Sequence, residues 1–130
     1  MTESQLQEQI CNYLSMICRR WKFIYFAPMN EGVMMVLKMF KISDTACFRI
    51  ISYMKKMGFL PGVSDIIIGH GGKMYCMELK LPDVVGKKPH VQKKSQVIFM
   101  DNCKTAGVEY GIVRSLDECI ECLKFWRIVE

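Results

Sequence analysis

The sequence predicts an α/β domain, and three observations carry that expectation. Apolar residues repeat at helical spacing near the N-terminus, two β-rich runs flank Gly71-Gly72, and a helix, a strand and a helix follow in succession after Pro89. With 130 residues, the chain fits one domain spanning its whole length. A hydrophobic fraction of 51% against 24% charged residues excludes a disordered chain. No run reaches the ~18 to 20 consecutive apolar residues of a membrane span, because Lys38 and Lys41 interrupt the richest stretch, Val33 to Ile42. Residues Met1 to Gln5 lack the charged and apolar regions of a signal peptide, so the expectation is a cytoplasmic, intracellular protein without a membrane partner.

The elements follow from local pattern. Leu6, Ile10, Tyr13-Leu14 and Ile17 define an amphipathic helix from Glu3 to about Arg20. Phe23 to Phe26 reads as a strand closed by Ala27-Pro28. Ser43 or Asp44 can cap a helix over Thr45 to Met57 that Gly58 ends. Val33 to Phe40, apolar on all sides, fits either a buried helix or an oligomer contact. Ser64 to His70 and Lys73 to Lys80 form a hairpin, since a two-residue type I′ turn needs positive φ at both positions and Gly71-Gly72 supplies it. A basic connection leads to a helix over Val91 to Thr105, a strand over Glu109 to Val113, and a last helix over Leu116 to Trp126 capped by Ser115. There is no internal repeat, low-complexity tract or linker.

Seven cysteines, an odd number scattered through apolar segments, argue against a disulfide framework. Cys119 and Cys122 have the spacing of a zinc half-site, yet no second pair completes four ligands; the preferred reading places both on an apolar helix stripe with Leu116, Ile120 and Leu123. The formal charge of +5 favours a polyanionic partner. Its clusters include Lys87, Lys88, Lys93 and Lys94 around His90, where phosphate contact is the functional reading and a solvated face the alternative.

The hairpin concentrates the chemistry. With Gly71-Gly72 as the turn, Asp65 faces Glu78, and directly opposed side chains share a sheet face with Cβ atoms about 4.5 to 5.5 Å apart. Lys80, two residues on, points to the same face, while Ile66, Ile68, Met77 and Leu79 point to the other. Opposed like charges destabilise a sheet, and a divalent cation between them removes the repulsion. Carboxylate oxygens suit Mg²⁺ or Mn²⁺, and a neighbouring lysine can hold an attacking water and offset charge on phosphorus. A surface salt bridge from Lys80 to either carboxylate is the alternative.

Pro61-Gly62-Val63-Ser64-Asp65 followed by Glu78-Leu79-Lys80 resembles the core of the PD-(D/E)XK nuclease superfamily, and specifically its VRR-NUC branch. The likeness spans most of the chain. Glu3 to Gln7 resembles the opening helix motif, Asn30-Glu31-Gly32 the Asn and Gly after the first strand, Lys55 to Gly58 the approach to the aspartate, and Ser95-Gln96 with Gly107 the helix-borne glutamine and closing glycine. Ser64 departs from the usual proline, and residues 29–58 exceed the family minimum.

This resemblance implies a restriction-endonuclease-like core: a mixed central β-sheet flanked by helices in the order α-β-β-β-α-β, with one inserted and one C-terminal helix. It implies a Mg²⁺- or Mn²⁺-dependent DNA endonuclease without a small-molecule cofactor, acting on branched substrates such as Holliday junctions or flaps, as a homodimer. Asp65, Glu78 and the Leu79 carbonyl would be metal ligands, Lys80 would stand at the nucleophilic water, and Glu3 and Gln96 would complete the catalytic set. Helical periodicity independently favours Glu3 over Glu8, since Glu3 lies within about 40° of the apolar stripe; an ordinary first-turn acid is the alternative. The rival function is a non-cleaving nucleic-acid-binding module with the same fold.

Overall fold

The computed structural model describes residues 1–29, 32–88 and 91–130. It is a mixed α/β structure of the order α1 (Glu3–Trp21), β1 (Phe23–Phe26), α2 (Gly32–Met39), α3 (Asp44–Lys56), β2 (Ile66–His70), β3 (Lys73–Leu79), α4 (Lys94–Ala106), β4 (Glu109–Val113) and α5 (Leu116–Phe125). The four strands form one sheet in the order β1-β2-β3-β4. Both pairs among β1, β2 and β3 are antiparallel, and β4 joins β3 in parallel after the α4 crossover.

The hairpin has the expected register, with Ile66 opposite Met77 and His70 opposite Lys73. Gly71 and Gly72 take φ of 58° and 79°, the left-handed region that a type I′ turn demands. Helix α1 opens with a reciprocal cap: Thr2 Oγ1 accepts from the Gln5 N–H at 3.1 Å, and Gln5 Oε1 accepts from the Thr2 N–H at 2.8 Å. Ser43 caps α3 through the Ala46 N–H, so Asp44 is the first helical residue.

Helices cover both sheet faces. On one face α1 and α5 bury Leu6, Ile10, Leu14, Cys119 and Leu123 against Ile66, Ile68, Met77 and Leu79. On the other, Phe99 and Cys103 of α4 pack on Ile67 and Cys76. Beyond this second core, toward the open end of the hairpin, the same face carries Asp65, Glu78 and Lys80.

Three expectations need correction. The helix after the basic connection begins at Lys94, not Val91, because Lys93 is an extended N-cap and Gln92 instead donates its side-chain amide to the Tyr110 hydroxyl at 3.1 Å. Two helices, not one, occupy the segment between β1 and β2. The Val33 to Phe40 stretch forms α2 but is not a buried helix, since none of its residues is buried. No helix among the described residues is long and apolar enough to cross a membrane.

Candidate active site

Asp65 stands one residue before the first paired position of β2, and Glu78 one residue after its partner in β3, so continuation of the Ile66–Met77 register opposes them. Asp65 Oδ2 accepts from the Leu79 N–H at 2.8 Å, which fixes that carboxylate across the strand end. Glu78 is 2% exposed. Its Oε1 accepts from Gln96 Nε2 at 2.9 Å, while its buried Oε2 has no hydrogen-bond partner.

Lys80 projects from the end of β3, where its N–H donates to the Val113 carbonyl of β4 at 3.0 Å. Its Nζ lies 3.8 Å from Glu78 Oε1 and donates to Gln96 Oε1 at 3.3 Å. Gln96 Oε1 also accepts from the Lys93 N–H at 3.0 Å, closing the first turn of α4. One amide thus serves the helix terminus, the lysine and the glutamate together.

Burial pushes the Glu78 carboxyl up to about 8, helped by the Asp65 charge and opposed by Lys80. Burial also raises Asp65, while the Leu79 N–H and its hydrogen bond with Glu78 pull it back. The pair therefore favours one shared proton over two negative charges. The Glu3 charge raises both groups further. Tyr110, raised by burial and by the two carboxylates, belongs to the same electrostatic neighbourhood.

A cleft of about 620 Å³ brings the expected catalytic residues together: Glu3, Asp65, Glu78, Leu79, Lys80 and Gln96 all line it. Glu3 is the first residue of α1 and is exposed. Among the described residues no group of three or more His, Cys, Asp and Glu side chains gathers at metal-holding distance, so a cation in the cleft could draw on two opposed carboxylates, Asp65 and Glu78. That is the one or two carboxylates Mg²⁺ takes when water and phosphate complete its shell. The unpartnered Oε2 of Glu78 and the upward shifts of both carboxyls fit a cation between them.

The expected DNA-contacting lysines divide. Lys93 lines the cleft, whereas Lys87, Lys88 and Lys94 are exposed and do not line it. His90, like Asn30 and Glu31, lies outside the described residues.

Two contributors were not assigned to the site from sequence. Gln7, the glutamine that closes the opening helix motif and reads from sequence either as support for the site or as surface, lines the cleft one helical turn after Glu3. Gly62, at φ 77°, presses so closely on the first turn of α4 that a Cβ there would collide with the Ser95 carbonyl. Sequence gives Gly62 only as part of the Pro61 to Asp65 motif and carries no signal of that approach. No protein-family model, curated protein or solved structure matches the chain.

Proposed function

We propose that the chain is a Mg²⁺- or Mn²⁺-dependent endodeoxyribonuclease with a restriction-endonuclease-like core, of the VRR-NUC type within the PD-(D/E)XK superfamily. The observation that carries this reading is Glu78 Oε2, a buried carboxylate oxygen without a donor, opposed to Asp65 and beside Lys80 in an open cleft. When both carboxyls are ionised, that unsatisfied buried acceptor costs about 1–3 kcal/mol, and a cation offsets the cost.

Asp65 and Glu78, with the Leu79 carbonyl, would hold the ion. Bound Mg²⁺ or Mn²⁺ would act as a Lewis acid on the scissile phosphate and neutralise developing charge. Lys80 Nζ, held by Gln96, would orient the attacking water by donating a hydrogen bond to its oxygen and offset charge on the phosphoryl oxygens. Gln96 keeps Lys80 and Glu78 in fixed relation, and Glu3 adds negative charge that strengthens cation binding. Lys93 brings a cation to the cleft wall where a DNA phosphate would enter.

The substrate is branched DNA, a four-way junction or a flap, and the working unit is a homodimer. Val36, Met39 and Phe40, exposed in and just after α2, offer an apolar contact for the second copy.

The test is cleavage of a labelled four-way junction, a flap and a linear duplex in Mg²⁺, Mn²⁺ or EDTA by wild type and Lys80→Ala. Metal-dependent cutting of branched DNA that Lys80→Ala loses is the expected result. Binding without cutting in either metal overturns it and leaves a non-cleaving binding module.

A further inference from the structure

Helices α2 and α3 carry cations between β1 and β2. Over residues 32–57 five of them, Lys38, Lys41, Arg49, Lys55 and Lys56, outnumber one anion, Asp44, although Glu31 and Asp65 flank the stretch. The same segment exposes large apolar and aromatic side chains: Phe40, Phe48 and Tyr53 are 75%, 76% and 64% exposed. Exposed apolar surface rimmed by polar and charged residues marks a binding surface.

A groove of about 500 Å³ runs between α2 and α3. Met34 and Lys38, one turn apart on α2, form one wall, and Phe48, Ile51 and Lys55, at helical spacing on α3, form the other. An exposed aromatic ring thus lies in one groove with two lysines, Lys38 and Lys55, and one acid, Asp44, which leaves the groove a net positive charge of one. Helix α2 separates this groove from the acidic cleft, since Gly32 and Met35 line the cleft while Met34 and Lys38 line the groove.

We propose that the α2–α3 groove binds an unpaired DNA strand, with a base stacked on Phe48 and phosphates at Lys38 and Lys55. Resting on the nuclease reading of the neighbouring cleft, this makes the substrate a duplex with a single-stranded arm in preference to a fully paired junction. Stacking on an aromatic ring beside cations is how unpaired strands are held, because every base has a π-face. Paired bases in a duplex have no face to offer Phe48. A second copy seated in the groove itself would bring its own Lys38 and Lys55 against these two, so charge disfavours self-association through the groove and leaves the exposed Val36 and Met39 side of α2 for that contact.

The test is fluorescence anisotropy with labelled oligothymidylate and a duplex of equal length, in EDTA so that binding is read without cleavage. Wild type is expected to bind the single strand more tightly. Phe48→Ala should weaken single-strand binding about ten-fold or more, leave duplex binding unchanged, and be rescued by Phe48→Trp. Lys38→Gln with Lys55→Gln should lower the salt slope by about 1.4, two phosphates at about 0.7 each. Asp65→Ala should keep full single-strand affinity.

Equal single-strand affinity in wild type and Phe48→Ala overturns the proposal, as does a wild type with no preference for the single strand. So does a dimer that Phe48→Ala dissociates while single-strand binding stays unchanged. Phe48-dependent binding with no cutting in Mg²⁺ or Mn²⁺ leaves the groove standing and removes the nuclease. Metal-dependent cutting with a Phe48→Ala that binds normally does the reverse.

Discussion

Gln96 and Glu78 meet across the α4–β3 interface through a 2.9 Å hydrogen bond from Gln96 Nε2 to Glu78 Oε1. The other end of the same amide accepts from Lys80 and from the Lys93 backbone. Gln96→Ala therefore removes the partner of a buried carboxylate and releases the lysine at once. It should destabilise the protein by about 1–3 kcal/mol, the cost of a buried group left unsatisfied, as read by urea denaturation, and cut DNA more slowly. A Gln96→Ala protein as stable and active as wild type would mean that the amide links nothing that matters.

The pH dependence of stability follows from Glu78, whose carboxyl rises in the folded state from 4.5 to about 8. A raised acid binds its proton more tightly when folded, so its contribution is fully present below the unfolded value and is lost as pH rises through the folded one. Metal-free protein should become less stable between pH 4.5 and about 8, and the raised Asp65 acts in the same direction. One proton limits the slope to about 1.4 kcal/mol per pH unit. Glu78→Gln should flatten the curve and be more stable than wild type at alkaline pH. Denaturation across this range with EDTA present tests both statements.

Metal should act on stability through the same pair. Mg²⁺ or Mn²⁺ at a hundred times its dissociation constant should stabilise wild type by about 2.7 kcal/mol. Asp65→Asn, which removes one of two carboxylates, should lose most of that response. A thermal-shift titration in which Asp65→Asn responds like wild type would place the ion elsewhere.

Gly62→Ala should be far more damaging than Gly71→Ala, although both glycines have positive φ. At Gly71 a Cβ meets open space, so the cost is the left-handed backbone alone, about 1–2 kcal/mol. At Gly62 the Cβ also strikes the Ser95 carbonyl and pushes α4, with Gln96, away from the sheet. Melting temperatures of the two variants, with cleavage rates of whatever remains folded, provide the comparison.

The hairpin and its opposed carboxylates were legible because two local rules, positive φ at Gly71-Gly72 and the two-residue strand period, fix the register without long-range information. The α1 stripe was legible for a similar reason, since Leu6, Ile10 and Leu14 are buried as their spacing requires. The start of α4 was not legible, because the Gln92–Tyr110 hydrogen bond that accompanies the extended Val91 to Lys93 backbone is tertiary. The placement of α2 was not legible either: apolar composition does not say whether a helix is covered, and here it is not. For the site, strand alternation gave Asp65, Glu78 and Lys80 a common face, but only packing shows that Gln96 joins two of them and that Gly62 sets the distance.

Phe26 of β1 lies opposite Ile67 of β2, so the chain that leaves the sheet after Phe26 returns to within one strand spacing, about 4.8 Å. Everything between, α2 and α3 included, is a closed excursion whose ends the sheet already holds together. Doubling the length of such an excursion costs only about 0.6 kcal/mol. Helices α2 and α3, with the groove between them, can therefore be lengthened, shortened or exchanged ahead of Gly62 while the strands that hold Asp65 and Glu78 stay paired, leaving substrate preference free to diverge from chemistry.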